Sequence, residues 1–250
     1  MDQAQWDRAL EAAKQQRKTT GIGTLGERTL HSVLKYYFEP DPDYHEISVD
    51  SFVADIASPD GIIEIQTRGF DRLRRKLDAF LQHFPVTVVY PIPVVKYLVW
   101  IDPATGESTS RRKSPRRGST LDAAAELYKI KPALTHPNLK ICLVLLEMEK
   151  YRLKNGWSSD GKKGSTRCER IPRTLYNEIW LRTPADYASL LPSSLPDTFT
   201  TATLSQAIGQ NRSRCQTFLH LLHYIGAAER VGKQGNAYVY RLAAPFRVLP

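Results

Sequence analysis

Apolar residues recur along this chain at two spacings, and the spacing changes often enough to predict an alternation of helices and strands. Asp2 to Lys18 reads as a polar helix, and beyond a glycine-rich break Leu30, Val33, Leu34 and Tyr37 line one face of a second helix that Pro40 ends. Thr24 followed by Glu27 has the spacing of a capping box and marks where that second helix begins. Tyr44 to Val49, Ser51 to Ile56 and Gly61 to Thr67 then read as three strands separated by turn formers. Phe70, Leu73, Leu77, Phe80, Leu81 and Phe84 return to helical spacing, and Val86 to Tyr90 is apolar and β-branched, as a strand buried on both faces should be. Val94 to Ile101 and Leu139 to Glu147 are further strands, and Leu121 to Ile130 is a helix capped by Ser119. Residues 152–173 are basic and punctuated by glycine and serine, which predicts an exposed hairpin or loop.

A proline- and serine-rich stretch from Pro184 to Pro196 is the expected hinge, with a short helix possible over 186–191. It divides the chain into a domain over 1–182 and a smaller one over 183–250. In the smaller domain a helix follows Thr200 and Thr201, Gly209 breaks it, and Asn211 caps a longer helix that Gly226 stops. Two strands, from Ala228 and from Ala237, flank a basic turn that contains Lys233. This order resembles a winged helix-turn-helix module. The resemblance implies DNA contacts from Arg212, Ser213, Arg214, Gln216 and Thr217 on the second helix and from Lys233 on the wing.

Composition narrows the classes. Apolar residues are 42% and charged residues 24% of the 250, the balance of an ordinary globular protein. The formal charge of +9 points to a polyanionic partner, because Lys and Arg gain affinity by displacing counterions from phosphates. Two segments concentrate it: 111–117, and 162–173, either of which would add phosphate contacts or form solvated surface. Three cysteines without a CxxC pair encode neither a disulfide framework nor a zinc knuckle. No apolar run is long enough to span a bilayer, so no membrane partner is expected and the cytoplasm is the expected location. The oligomeric state is not encoded, and a homodimer stays open.

Chemistry concentrates near the strand meander. Glu64, Gln66 and Arg68 alternate with Ile63, Ile65 and Thr67, so one face of that strand is polar and the other apolar. A tight hairpin could bring Asp55 beside Glu64, and paired carboxylates suit a hard divalent cation. With Glu27 on the preceding helix, the string Glu27, Asp55, Glu64-Ile65-Gln66 resembles the PD-(D/E)XK nuclease superfamily over roughly residues 20–101, element order included. The resemblance implies a restriction-endonuclease-like α/β fold, a mixed sheet flanked by helices. It also implies Mg2+ or Mn2+ held by Asp55 and Glu64, assisted by Glu27, and DNA as substrate.

One position departs from the pattern. Gln66 stands where the family carries lysine; it can hydrogen-bond water but brings no charge to a developing phosphorane. Some branches of the superfamily resemble this chain in carrying glutamine there. Arg68 on the same strand face and Lys76 in the next helix are substitute cations. The alternatives are a metal-dependent DNA endonuclease and a catalytically inactive nuclease-fold protein that binds DNA or regulates transcription. Glu27 could instead be only the capping partner of Thr24, and the two strand acids ordinary surface residues. A GxGxxG string at 21–26 lacks the preceding buried strand of a dinucleotide site, and residues 156–163 miss the Ser or Thr of a P-loop. His220 and His223 near Cys215 lack a fourth metal ligand.

Overall fold

Two helices open the chain, α1 (Gln3–Thr20) and α2 (Arg28–Phe38), in a computed structural model that describes residues 2–20, 28–156 and 166–246. Strands β1 (His45–Val49), β2 (Phe52–Ser58) and β3 (Gly61–Ile65) follow, then α3 (Arg74–Phe80) and β4 (Val86–Ile101). After the two-residue β5 (Arg112–Lys113) come α4 (Ala124–Lys129), β6 (Leu139–Leu153) and β7 (Arg167–Leu181). The chain ends with α5 (Pro184–Ala188), β8 (Thr198–Thr200), α6 (Thr201–Ile208), α7 (Arg212–Tyr224), β9 (Ala228–Gln234) and β10 (Ala237–Leu242). The architecture is α/β. Among the described residues a mixed sheet runs in the order β1-β2-β3-β4-β6-β7, with β5 paired to β4, and a second sheet runs β8-β10-β9. No described helix is long and apolar enough to cross a membrane.

The described residues form two compact units interleaved in sequence, one drawn from 1–65, 91–118 and 144–178, the other from 66–90, 119–143 and 179–250. In the first unit Trp6, Ala9 and Ala13 make the buried stripe of α1, and Trp6 meets Tyr37 of α2 edge to face at 5.3 Å. Leu30, Val33, Leu34 and Tyr37, the face read from the sequence, are all buried. Asp50 takes a left-handed φ of 52° in the tight β1–β2 turn, a conformation aspartate tolerates better than most residues. Gly118 passes so close to β4 that a Cβ there would lie 2.6 Å from the Pro93 carbonyl oxygen, which accepts the Gly118 N–H.

Two expectations are corrected. The helix foreseen from Phe70 to Phe84 is shorter: a 3-10 turn over Phe70–Leu73 leads into α3, and the chain leaves helical geometry ahead of Pro85. The two strands foreseen at 86–90 and 94–101 are one, despite Pro91 and Pro93. Residues two apart direct their backbone groups to the same strand edge, so both missing N–H groups fall on the edge where Val89 accepts from Gln66, past the end of β3. The basic segment 152–173, read as an exposed hairpin or loop, carries the end of β6 and the start of the 15-residue β7, which are neighbours in the sheet; its residues 157–165 lie outside the described ones.

In the second unit Phe70, Leu73, Leu77 and Phe80 form one buried group, and Cys215, Phe218, Leu219 and Leu222 form the stripe of α7. The caps at Ser119, Thr200 and Asn211 are present as the sequence indicates. The Asn211 side chain accepts the Arg214 N–H at 2.9 Å. Asn211→Ala is therefore expected to cost about 1 kcal/mol, seen as a lower urea midpoint at unchanged m value, and Asn211→Ser to stay within a few tenths of a kcal/mol (roughly) of the native protein.

Candidate active site

The β2–β3 hairpin positions the two strand carboxylates. Ile56 lies opposite Ile63, Ala57 opposite Ile62 and Ser58 opposite Gly61. One step further along this register Asp55 comes opposite Glu64, and directly opposed residues of an antiparallel pair share a face. The backbone ladder ends there: instead of a carbonyl, Oδ2 of Asp55 accepts the Ile65 N–H at 2.7 Å. That bond fixes the Asp55 side chain and leaves its second oxygen, Oδ1, without a donor among the described residues. Asp55 is half-buried, and Glu64 is only 3% exposed, which on a polar group demands compensation from hydrogen bonds or a cation.

Helix α2 approaches the same strand. The His31 ring nitrogen Nε2 is 2.9 Å from the carbonyl oxygen of Ile65, the neighbour of Glu64. Glu27, the helix acid expected to join the pair, lies outside the described residues, as does the glycine-rich string before it. Among the described residues no group of three or more His, Cys, Asp or Glu side chains is arranged to hold a metal ion. Two carboxylates still fit magnesium chemically, since that ion is commonly bound by one or two carboxylates and takes its remaining oxygens from water and substrate phosphates.

In the other unit Gln66 is held by its own turn. Its side-chain nitrogen donates to the carbonyl of Arg68 at 2.7 Å and reaches that of Gly69 at 3.5 Å. Two carbonyls facing that end settle which atom is nitrogen, so Oε1 is the free end, an acceptor able to orient a water but unable to supply charge. Arg68 is exposed and makes no ion pair with a described carboxylate, and Lys76 is half-buried on α3.

Four of the six residues expected to touch DNA, namely Arg212, Ser213, Gln216 and Lys233, are exposed. Thr217 is partly covered, and its hydroxyl donates to the Ser213 carbonyl at 3.0 Å. Arg214 is turned inward: it pairs with Asp122 and donates to Oε1 of Gln210 at 3.1 Å.

A polar cluster in the first unit escapes the sequence reading. Glu149 on β6 is 5% exposed and accepts from Nη2 of Arg173 at 2.7 Å, Nη1 of Arg111 at 3.1 Å and the Tyr151 hydroxyl at 3.1 Å. Arg111 also lies 3.6 Å from Glu147 and stacks 4.2 Å above the Tyr97 ring, while the Tyr176 hydroxyl donates to Glu147 at 3.2 Å. Burial works to raise the Glu149 carboxyl, but the hydrogen bonds from Arg173 and Arg111 outweigh it and hold the group below the ordinary carboxylate range. The available signal was Glu147 and Glu149 two apart directly after the apolar run Ile141–Leu146, which puts both on one face of the strand.

Comparison with known proteins adds kinship without an activity. No solved structure matches the chain. An uncharacterized protein of Treponema pallidum (strain Nichols) is 30% identical over 232 residues, covering 90% of this chain and 88% of the relative. The pattern of the family described as "Domain of unknown function (DUF8091)" matches residues 28–182, from the first residue of α2 to just past β7, and this chain belongs to that family.

Proposed function

We propose that this protein is a divalent-metal-dependent DNA endonuclease whose C-terminal winged helix helps to hold the duplex. The observation that carries the reading is the β2–β3 hairpin, whose register carried one step on sets Asp55 against Glu64, with one Asp55 oxygen on the Ile65 amide and the other free of described donors. The element order α2-β1-β2-β3-α3-β4, with the four strands consecutive in the sheet, supports a restriction-endonuclease-like core. The order β8, α6, α7, β9, β10 with a β8-β10-β9 sheet likewise supports the winged helix. A net charge of +9 suits a phosphate backbone.

In this reading Asp55 and Glu64 hold Mg2+ or Mn2+, with Glu27 assisting, and the ion supplies charge neutralisation for phosphodiester hydrolysis. Asp55 keeps one oxygen on the Ile65 amide, which orients the other. Gln66 would orient the attacking water by accepting a hydrogen bond from it through Oε1, and Arg68 or Lys76 would supply the positive charge that glutamine cannot. A second reading, a nuclease-fold DNA-binding or regulatory protein that no longer cuts, is favoured by Gln66 in the lysine position.

Supercoiled plasmid incubated with the protein in Mg2+ or Mn2+, with EDTA as control, separates the two. The native protein is expected to nick or linearise the plasmid, and Asp55→Ala and Glu64→Ala are expected not to. Cleavage that survives both substitutions would end the endonuclease reading, and DNA binding without cleavage by the native protein would establish the second.

A further inference from the structure

Cations without acidic partners gather on β9 and at Lys131, which lies beside Tyr224 at the C-terminal end of α7. Nζ of Lys131 lies 4.6 Å from the ring centre of Tyr224 and 5.2 Å from that of Tyr128. The Arg230 guanidinium lies 4.1 Å from the Tyr238 ring, and Nζ of Lys233 lies 5.2 Å from it. Among the described residues none of Lys131, Arg230 and Lys233 pairs with a carboxylate. The elements that carry the two groups are packed together: the Nδ1 ring nitrogen of His223, beside Tyr224 on α7, lies 3.2 Å from the carbonyl oxygen of Ala228 at the start of β9. The three tyrosines are open to solvent, Tyr128 and Tyr224 at 43% and Tyr238 at 39%. Tyr128 and Lys131 also line a cleft of about 380 Å³ with Arg74, within the size range of small-ligand pockets.

We infer that Tyr128, Tyr224 and Tyr238, with Lys131, Arg230 and Lys233, form a surface for single-stranded nucleic acid, on which unpaired bases stack against the rings and phosphates engage the cations. Unpaired cations at a protein surface stay over aromatic faces for want of a better counterion, and a phosphate is that counterion. Their movement to phosphates would uncover the rings for stacking. A duplex offers no free base faces, so this surface differs in kind from a helix that reads a groove. The inward turn of Arg214 also leaves Arg212 as the cation at the exposed start of α7, which shifts the weight of phosphate contact toward the other end. None of this depends on the carboxylates of β2 and β3.

The test is fluorescence anisotropy with labelled oligothymidylate and, separately, a labelled duplex, using the full chain in EDTA so that no cleavage intervenes. Tyr224→Ala and Tyr238→Ala are each expected to weaken single-strand binding about ten-fold or more, whereas Tyr224→Phe and Tyr238→Phe keep it within about two-fold. Lys131→Gln is expected to reduce the salt slope of single-strand binding by roughly 0.7. Single-strand affinity unchanged by the alanine variants would overturn the inference. So would a loss confined to the duplex, or capture of the native protein by phosphatidylserine vesicles but not by oligothymidylate.

Discussion

Asp55→Asn and Glu64→Gln are each expected to lower magnesium-dependent plasmid cleavage by about 10³-fold, a loss of about 4 kcal/mol in transition-state stabilisation. Both replacements keep side-chain size and remove the charge that would hold the ion. At Asp55 the two roles of the carboxylate can be separated. Asparagine retains an oxygen able to accept the Ile65 N–H, so Asp55→Asn should leave stability nearly unchanged while cleavage disappears. Asp55→Ala removes that acceptor where the ladder between β2 and β3 has already ended, and should cost about 1–3 kcal/mol in addition. Metal binding supplies a readout independent of activity. A ligand that binds only the folded state raises the melting temperature with its concentration, so Mg2+ should stabilise the native protein and not the two charge-neutral variants. Equal magnesium stabilisation of all three proteins would show that the carboxylate pair is not the binding site.

Glu149→Ala is expected to destabilise the protein by about 2–3 kcal/mol, measured by urea unfolding at neutral pH. A buried carboxylate that loses its partners, or partners that lose their carboxylate, leave charge without compensation. The side chains of Arg111 and Arg173 are 53% and 42% exposed, so they can turn to water, which keeps the cost below that of a fully buried pair. Because the folded Glu149 group is held below its ordinary value near 4.5, the unfolded chain takes up its proton first as the pH falls. The stabilisation is therefore complete above that ordinary value and drains away as the pH drops through the lower folded value. Stability of the native protein should fall on acidification through this range, and Glu149→Gln should show a shallower fall from a lower starting point. Identical acid profiles for the two would mean that the arginines do not hold the carboxylate in solution.

Arg111 and Arg173 also change the meaning of the basic segments. From the sequence, 111–117 and 162–173 read alike, as phosphate contacts or solvated surface. The residues at the first position of one and the last position of the other meet on a single buried glutamate. Part of the chain's basic excess is thus engaged in holding β6, β7 and the segment before β5, whereas Lys131, Arg230 and Lys233 have no such engagement.

What the sequence by itself determined is whatever depends on near neighbours. The buried face of α2 at Leu30, Val33, Leu34 and Tyr37 follows from helical spacing, the caps at Thr200 and Asn211 from a side chain reaching two or three residues ahead, and the β2–β3 hairpin from Pro59, Asp60 and Gly61 between apolar runs. The hairpin that carries the Asp55 carboxylate to the Ile65 amide, next to Glu64 in sequence, was legible for the same reason, since a short hairpin leaves few registers open. Tertiary structure alone decided that β4 runs through Pro91 and Pro93, because a missing donor matters only if a neighbouring strand asks for it. It decided that Arg167–Leu181 is a strand, since β6 supplies the partner that a basic, half-exposed segment does not announce. It decided that Arg214 turns toward Asp122, 92 positions earlier, while its near neighbour Arg212 stays in solvent. Charge and hydrogen-bonding capacity are written residue by residue; which of them find a partner is settled only when distant segments are brought within a few ångströms.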